Sequence, residues 1–234
     1  MPDKNPLFIL IETATQRCSV ALSDSKGIIL EKVSLEENSH SKQLSLLIDS
    51  IMKEANCSFS SLSAIAVGKG PGSYTGLRIG VSTAKGLAYG LDIPLIGVDT
   101  LRILQRGVEE KHPKKCTVAM IDARRMEVYC EIYDENGQTI KPLSADIIEK
   151  GIYDSYLKED KDFVFVGDGA EKAMDCFKNR KNVFYDSSIQ LTSSLMQKDV
   201  FYKFNNKEFE DVAYFEPYYL KDFIAKVSLV KGLY

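Results

Sequence analysis

Residues 68–80, "GKGPGSYTGLRIG", place five glycines and a proline in thirteen positions and then run into an apolar helical pattern. The run before it, "LSAIAVG" (62–68), reads as a buried strand. A strand, a tight turn and a helix in this order make a parallel crossover unit, so the stretch points to an α/β fold. The turn has two readings. Gly70 and Gly72 around Pro71 supply the dihedrals of a sharp strand-to-helix bend, with Ser73 or Thr75 as helix cap. Alternatively, bare amides at a helix start hold phosphate. No Gly-Lys-Ser or Gly-Lys-Thr follows, Ser73 replaces the third glycine of G-x-G-x-x-G, and Pro71 and Thr75 break a G-x-S-x-G elbow.

Upstream, "LFILIET" (7–13), "CSVALSD" (18–24) and "GIILEKVSL" (27–35) read as an antiparallel meander, followed by a helix over 39–56. Downstream come the helix to about Gly90 and the strand "IPLIGV" (93–98). The order β-β-β-α-β-α-β is that of an RNase H-like domain. A connecting helix spans 99–110. Strands at 116–122, 127–134, 163–168 and 182–186, with a helix at 170–178, read as a shorter copy of the first half. The expected division is 1–103 for the first lobe, 104–212 for a smaller second lobe, and 213–234 for a segment packing back on them. Two such lobes give the actin, Hsp70 and sugar-kinase architecture.

The 75–90 helix carries Gly76, Gly80, Ala84 and Ala88 every four residues, a ridge of small side chains. Ile79, Thr83 and Leu87 lie further round, so the helix is apolar over most of its circumference and needs cover on more than one side. The 39–56 helix adds Leu46 and Met52 outside its main stripe. Together the pair reads as a protein-binding surface.

Composition narrows the chemistry. A net charge of −3 provides no general basic field for nucleic acid. The five cysteines form no C-x-x-C pair, and the opening residues lack a secretory pattern, so a cytoplasmic protein without membrane spans is expected. His40 and His112 are the two histidines, and neither forms H-E-x-x-H. "IDARRMEVY" (121–129) joins two strands through a charged turn with Asp122, Arg124 and Arg125, and an Asp–Arg pair there is structural or anion-binding. "VGDGA" (166–170) is a strand-to-helix turn, with Asp168 as a cap or facing a nucleotide.

Taken together, "ILIETATQRCSVAL" (9–22), "HSKQLSLLIDSIM" (40–52), the run 64–101, "IDARRMEVY" and "FEPYYLKDF" (215–223) resemble the bacterial TsaB (YeaZ) family. The likeness is long over about the first 130 residues and weak beyond. It implies a non-catalytic scaffold in the machinery that places threonylcarbamoyl on N6 of adenosine 37 in ANN-decoding tRNAs. The partners implied are a TsaD-like catalytic subunit and a TsaE-like ATPase, with tRNA reached through the complex and a homodimer formed in isolation. No cofactor of its own is implied, although ATP or ADP at the complex interface is. The partner-binding residues carried over to the helix pair are Leu46, Met52, Gly76, Ile79, Gly80, Thr83, Ala84 and Leu87. The nucleotide-facing candidates of the fold class are Thr13, Gly167 and Gly169. Thr100 and Leu104 stand where the catalytic relative has a metal-binding histidine pair, so no metal is expected. The rival readings are a glycoprotease-type peptidase and a free-standing ATPase of the same fold.

Overall fold

The computed structural model describes residues 5–35 and 40–221. The first half forms β1 (Phe8–Glu12), β2 (Cys18–Asp24), β3 (Gly27–Ser34), α1 (His40–Glu54), β4 (Ala64–Gly70), α2 (Tyr74–Leu91) and β5 (Leu95–Asp99). Their sheet has the order β3-β2-β1-β4-β5, with the meander antiparallel and β4 and β5 parallel to β1. After α3 (Thr100–Lys111), the second half repeats the plan with β6 (Cys116–Asp122), β7 (Glu127–Tyr133), β8 (Thr139–Ile147), β9 (Phe163–Val166) and β10 (Val183–Tyr185). Its order, β8-β7-β6-β9-β10, matches the first sheet strand for strand. The fold is therefore the two-lobed α/β arrangement of the actin and sugar-kinase class.

β1 is buried along its length and apolar from Phe8 to Ile11, because both faces of the sheet are covered. Ile9 and Ile11 pack with α1 and α2 through Leu44, Ile48, Ile51, Val81, Ala84 and Ala88. Phe8 and Leu10 point the other way, to Leu101, Leu104 and Val108 of α3. That second cluster also takes Ala119, Ile121, Val164 and Val166 from the other sheet, so α3 sits in a core shared by both lobes.

The second lobe is shorter because its crossovers lack full helices. The expected 170–178 helix is instead a 3-10 stretch, Glu171–Phe177, that buries only Ala173 and Phe177. Two elements are not foreseen by the sequence reading. β8 contains Pro142, tolerated because β8 pairs with β7 alone and is an edge strand. The second, α4 (Gln197–Asn205), buries only Val200.

After α4 the chain returns to the first lobe as a strap. The Glu210 amide donates to Leu95 of β5 at 2.9 Å, and Phe215 is buried in the α1/α2 core. Lys85 of α2 donates to the carbonyls of Ala213 (3.2 Å) and Phe215 (2.8 Å). Residues 222–234, including the end of "FEPYYLKDF", lie outside the described residues.

Candidate functional site

The strand-to-helix turn is built for close approach. Gly70 has φ +109°, which favours glycine, and Ser73 caps α2 by accepting from the Gly76 amide at 3.3 Å. The Ser73 amide donates to the Ala14 carbonyl at 2.6 Å, tying the turn to the end of β1. A Cβ on Gly72 would fall within contact distance of that same carbonyl.

This tight seat decides which face of α2 turns inward. A Cβ on Gly76 would collide with the Thr13 carbonyl, and one on Gly80 with the Thr13 hydroxyl. Thr13 is itself buried and donates its hydroxyl to the Gly76 carbonyl at 2.8 Å. The ridge of Gly76, Gly80, Ala84 and Ala88 thus packs on the chain's own first sheet. Its expected role as a surface for a partner is corrected: a helix can approach a strand this closely only where it lacks side chains. Met52 is corrected with it, since it is 2% exposed in the core beneath α1. Leu46, by contrast, is 54% exposed. Ile79, Thr83 and Leu87 are half-buried on the flank of α2, and Gly86 and Gly90 beside them have open space where a Cβ would stand.

A cleft of about 690 Å³ opens where the lobes meet. Its walls are the β1–β2 turn (Ala14–Gln16), the start of α2 (Pro71–Gly76), the β6–β7 turn (Ile121–Arg124), Asp168, and the strap residues Tyr218–Lys221. None of the three residues expected to face a nucleotide lines this cleft. Thr13 lies under α2, and a Cβ on Gly167 or Gly169 would run into the backbone of Met120 or Ile121 in β6. Both glycines lie close against β6, and the intervening Asp168 reaches the cleft.

Acidic groups hold the cleft's turns. Glu12 is 1% exposed, and one of its oxygens accepts from the Ala14 amide at 2.7 Å. The other has no partner among the described residues, and burial raises the Glu12 pKa from 4.5 to about 7. Asp168 accepts from the Asp122 amide at 2.9 Å, and Asp122 accepts from the Arg124 amide at 2.8 Å. Burial raises the Asp168 pKa, and the Asp122 charge adds to it. The cation that pairs with Asp122 is Lys172, not a neighbouring arginine. Lys172 also donates to the Arg125 (2.9 Å) and Glu127 (2.6 Å) carbonyls, closing a turn in which Arg124 and Arg125 adopt φ of +70° and +51°. Asp168 does not cap the 3-10 stretch after it.

The strap completes the cleft. The Tyr218 amide donates to the Lys69 carbonyl at 2.7 Å, Tyr219 packs on Tyr74 at 4.9 Å between ring centroids, and Lys221 pairs with Glu127 of the second lobe. The sequence reading expected 213–234, with "FEPYYLKDF" in it, to pack back on the lobes, but not that the stretch would form a wall of the cleft. The aromatic run after a proline was its signal. At the other positions singled out, His40 approaches the Thr15 carbonyl at 3.0 Å, while Thr100 and Leu104 are buried in α3. Among the described residues, no three His, Cys, Asp or Glu side chains form a metal-binding group, and no helix is long and apolar enough to cross a membrane.

Comparison with solved structures bears on this two-lobed architecture. YeaZ from Pseudomonas aeruginosa superposes with a TM-score of 0.80 at 25% identity, over 92% of this chain and 100% of that one. The Acidaminococcus fermentans (R)-2-hydroxyglutaryl-CoA dehydratase component A shares the fold alone, with a TM-score of 0.53 at 8% identity, over 87% of this chain and 99% of that one. A family model described as TsaD, tRNA N6-adenosine threonylcarbamoyltransferase, matches residues 21–233. The tRNA threonylcarbamoyladenosine biosynthesis protein TsaB of Escherichia coli (strain K12) is 33% identical over 190 residues, covering 80% of this chain and 82% of the relative. That of Bacillus subtilis (strain 168) is 32% identical over 162 residues, covering 68% and 70%. The chain belongs to the TsaB (YeaZ) family, within the wider group described by the TsaD model.

Proposed function

We propose that this chain is the non-catalytic scaffold subunit of a complex that transfers threonylcarbamoyl to N6 of adenosine 37 in ANN-decoding tRNAs. In this reading it binds and activates a TsaD-like catalytic subunit, acts beside a TsaE-like ATPase, and meets tRNA through the complex. The names of the curated relatives support the pathway. The observation that carries the partner reading is the outer flank of α2. Ile79, Thr83, Gly86, Leu87 and Gly90 follow one another at helical spacing, and the two glycines leave room for a second helix to approach closely. The exposed Leu46 of α1 adds apolar surface to the same pair of helices. A second copy of the chain on this flank would give the isolated homodimer, in competition with the catalytic subunit.

Copurification with the TsaD-like subunit and tRNA nucleoside analysis test the proposal. Depletion of the chain is expected to lower threonylcarbamoyladenosine in bulk tRNA, and adding it back restores the level. Unchanged nucleoside levels, or no complex by size exclusion, would sink it.

A further inference from the structure

Tyr218 of the strap also borders a second, wider groove of about 1030 Å³, walled by the start of α3, the β7–β8 turn, α4 and the strap itself. Its lining holds seven carboxylates and three cations, a surplus of four negative charges against −3 for the whole chain. The rest of the molecule is therefore close to neutral. The three cations are already engaged. Lys69 faces Asp99 at 3.4 Å, Arg102 donates to the Gly137 carbonyl at 2.6 Å, and Lys203 donates to the Gly97 carbonyl at 2.8 Å. Glu208, Glu210 and Glu216 have no ion pair among the described residues. The same lining presents Tyr202, Tyr214 and Tyr218, all exposed. A buried acceptor lies against this wall. Gln105 is 3% exposed, its carboxamide nitrogen sits 2.9 Å from where a Cβ on Gly137 would stand, and its Oε1 has no partner among the described residues.

Carboxylates and an unpartnered carbonyl oxygen both call for N–H donors, and exposed phenol rings attract cations to their faces. A guanidinium group meets both demands, with its forked donors and flat face. The groove exceeds the range of about 300 to 1,000 Å³ that small ligands fill, so a chain segment fits it better than a free cation. We propose that this groove docks an arginine-rich, extended segment of a partner protein, its guanidinium groups pairing with Glu208, Glu210 and Glu216 and stacking on the tyrosines. Neither the flank of α2 nor the turns of the first cleft take part, so the site stands apart from the scaffold reading.

Fluorescence anisotropy of the full chain with a labelled peptide of alternating arginine and glycine provides the test, at about 0.15 M salt so that long-range attraction is screened. Saturable binding by the wild type is expected, and Glu208→Gln/Glu210→Gln/Glu216→Gln should weaken it at least about tenfold. Tyr202→Ala/Tyr214→Ala keeps every charge and should weaken it about threefold or more. It also carries the test should the glutamate triple fail to fold. Glu149→Gln/Glu159→Gln/Asp160→Asn removes three exposed charges outside the groove and should leave binding unchanged. No binding by the wild type, an equal loss in this control, or unchanged affinity in a folded groove variant overturns the proposal. Displacement of the peptide by spermidine at matching concentrations overturns it too, since charge alone would then suffice.

Discussion

Glu12 shows how one residue ties stability to pH. Its carboxyl sits at the end of β1 with one oxygen on the Ala14 amide and the other without a partner among the described residues. The neutral acid is therefore favoured, and the folded pKa lies near 7 against 4.5 for the free side chain. A folded pKa above the unfolded one means that the folded state holds the proton more tightly. The contribution is fully present below pH 4.5 and is lost as pH rises to about 7. The span corresponds to about 3 kcal/mol. Cys18, pushed up to about 11 by burial and then by the Glu12 charge, does not enter this window. Thermal melts of the wild type should fall between pH 5 and 8, while Glu12→Gln, which cannot ionise, should melt more evenly and exceed wild type at pH 8. Parallel curves for the two proteins would place the pH dependence elsewhere.

At the scale of elements, α2 shows what a sequence can and cannot decide. Its length, its Ser73 cap and its place after a buried strand are all legible, because they depend on local chemistry. Its orientation is not, since two stripes of small and apolar residues run along it. The stripe on Gly76, Gly80 and Ala84 is selected by Thr13, whose carbonyl and hydroxyl leave no room for a Cβ. Nothing in helical spacing reveals that neighbour, 63 residues away. Glycine substitutions on the two faces should therefore act in opposite ways. Gly80→Ala gains up to about 1 kcal/mol in helix propensity. It loses about 1 to 3 kcal/mol to overpacking against a buried strand, so a lowered melting temperature is expected. Gly86→Ala meets nothing and should raise stability by up to about 1 kcal/mol. Gly86→Leu should leave the monomer folded and weaken assembly with the TsaD-like subunit by about tenfold or more. Normal assembly by folded Gly86→Leu would remove the outer flank from the interface. The cleft was legible in the same partial way. "IDARRMEVY" and "VGDGA" stood out as turns, but the bond from the Asp122 amide to Asp168 joins residues 46 apart and exists only once β6 and β9 pair.

For the whole molecule, the strap after α4 closes one edge of the first sheet. The strand plan of each lobe leaves an edge at β5 or β10, and an open edge invites pairing with another chain. At β5 the bridge between Leu95 and Glu210 covers that edge, and Phe215 fills the space left by Gly97. The strap's ion pair to the second lobe, Lys221 with Glu127, is partly exposed and contributes little by itself. Its hold on the first lobe comes from Phe215, which is 8% exposed, and from Lys85 bonded to two strap carbonyls. Truncating a fully buried phenylalanine costs about 3 to 5 kcal/mol. At the rim of a core, where water can enter the space, about 2 kcal/mol is the better expectation. In a chain of 234 residues that corresponds to a drop of about 4 to 8 °C in melting temperature. Phe215→Ala is therefore expected to melt early and, measured by hydrogen exchange, to lose protection at β5 before β9. Lys85→Met removes the bonds to the carbonyls but retains the aliphatic stem, so it should reproduce a smaller part of the loss. An unchanged melt for Phe215→Ala, or equal loss of protection in both sheets, would show that the strap lies on the first lobe without stabilising it.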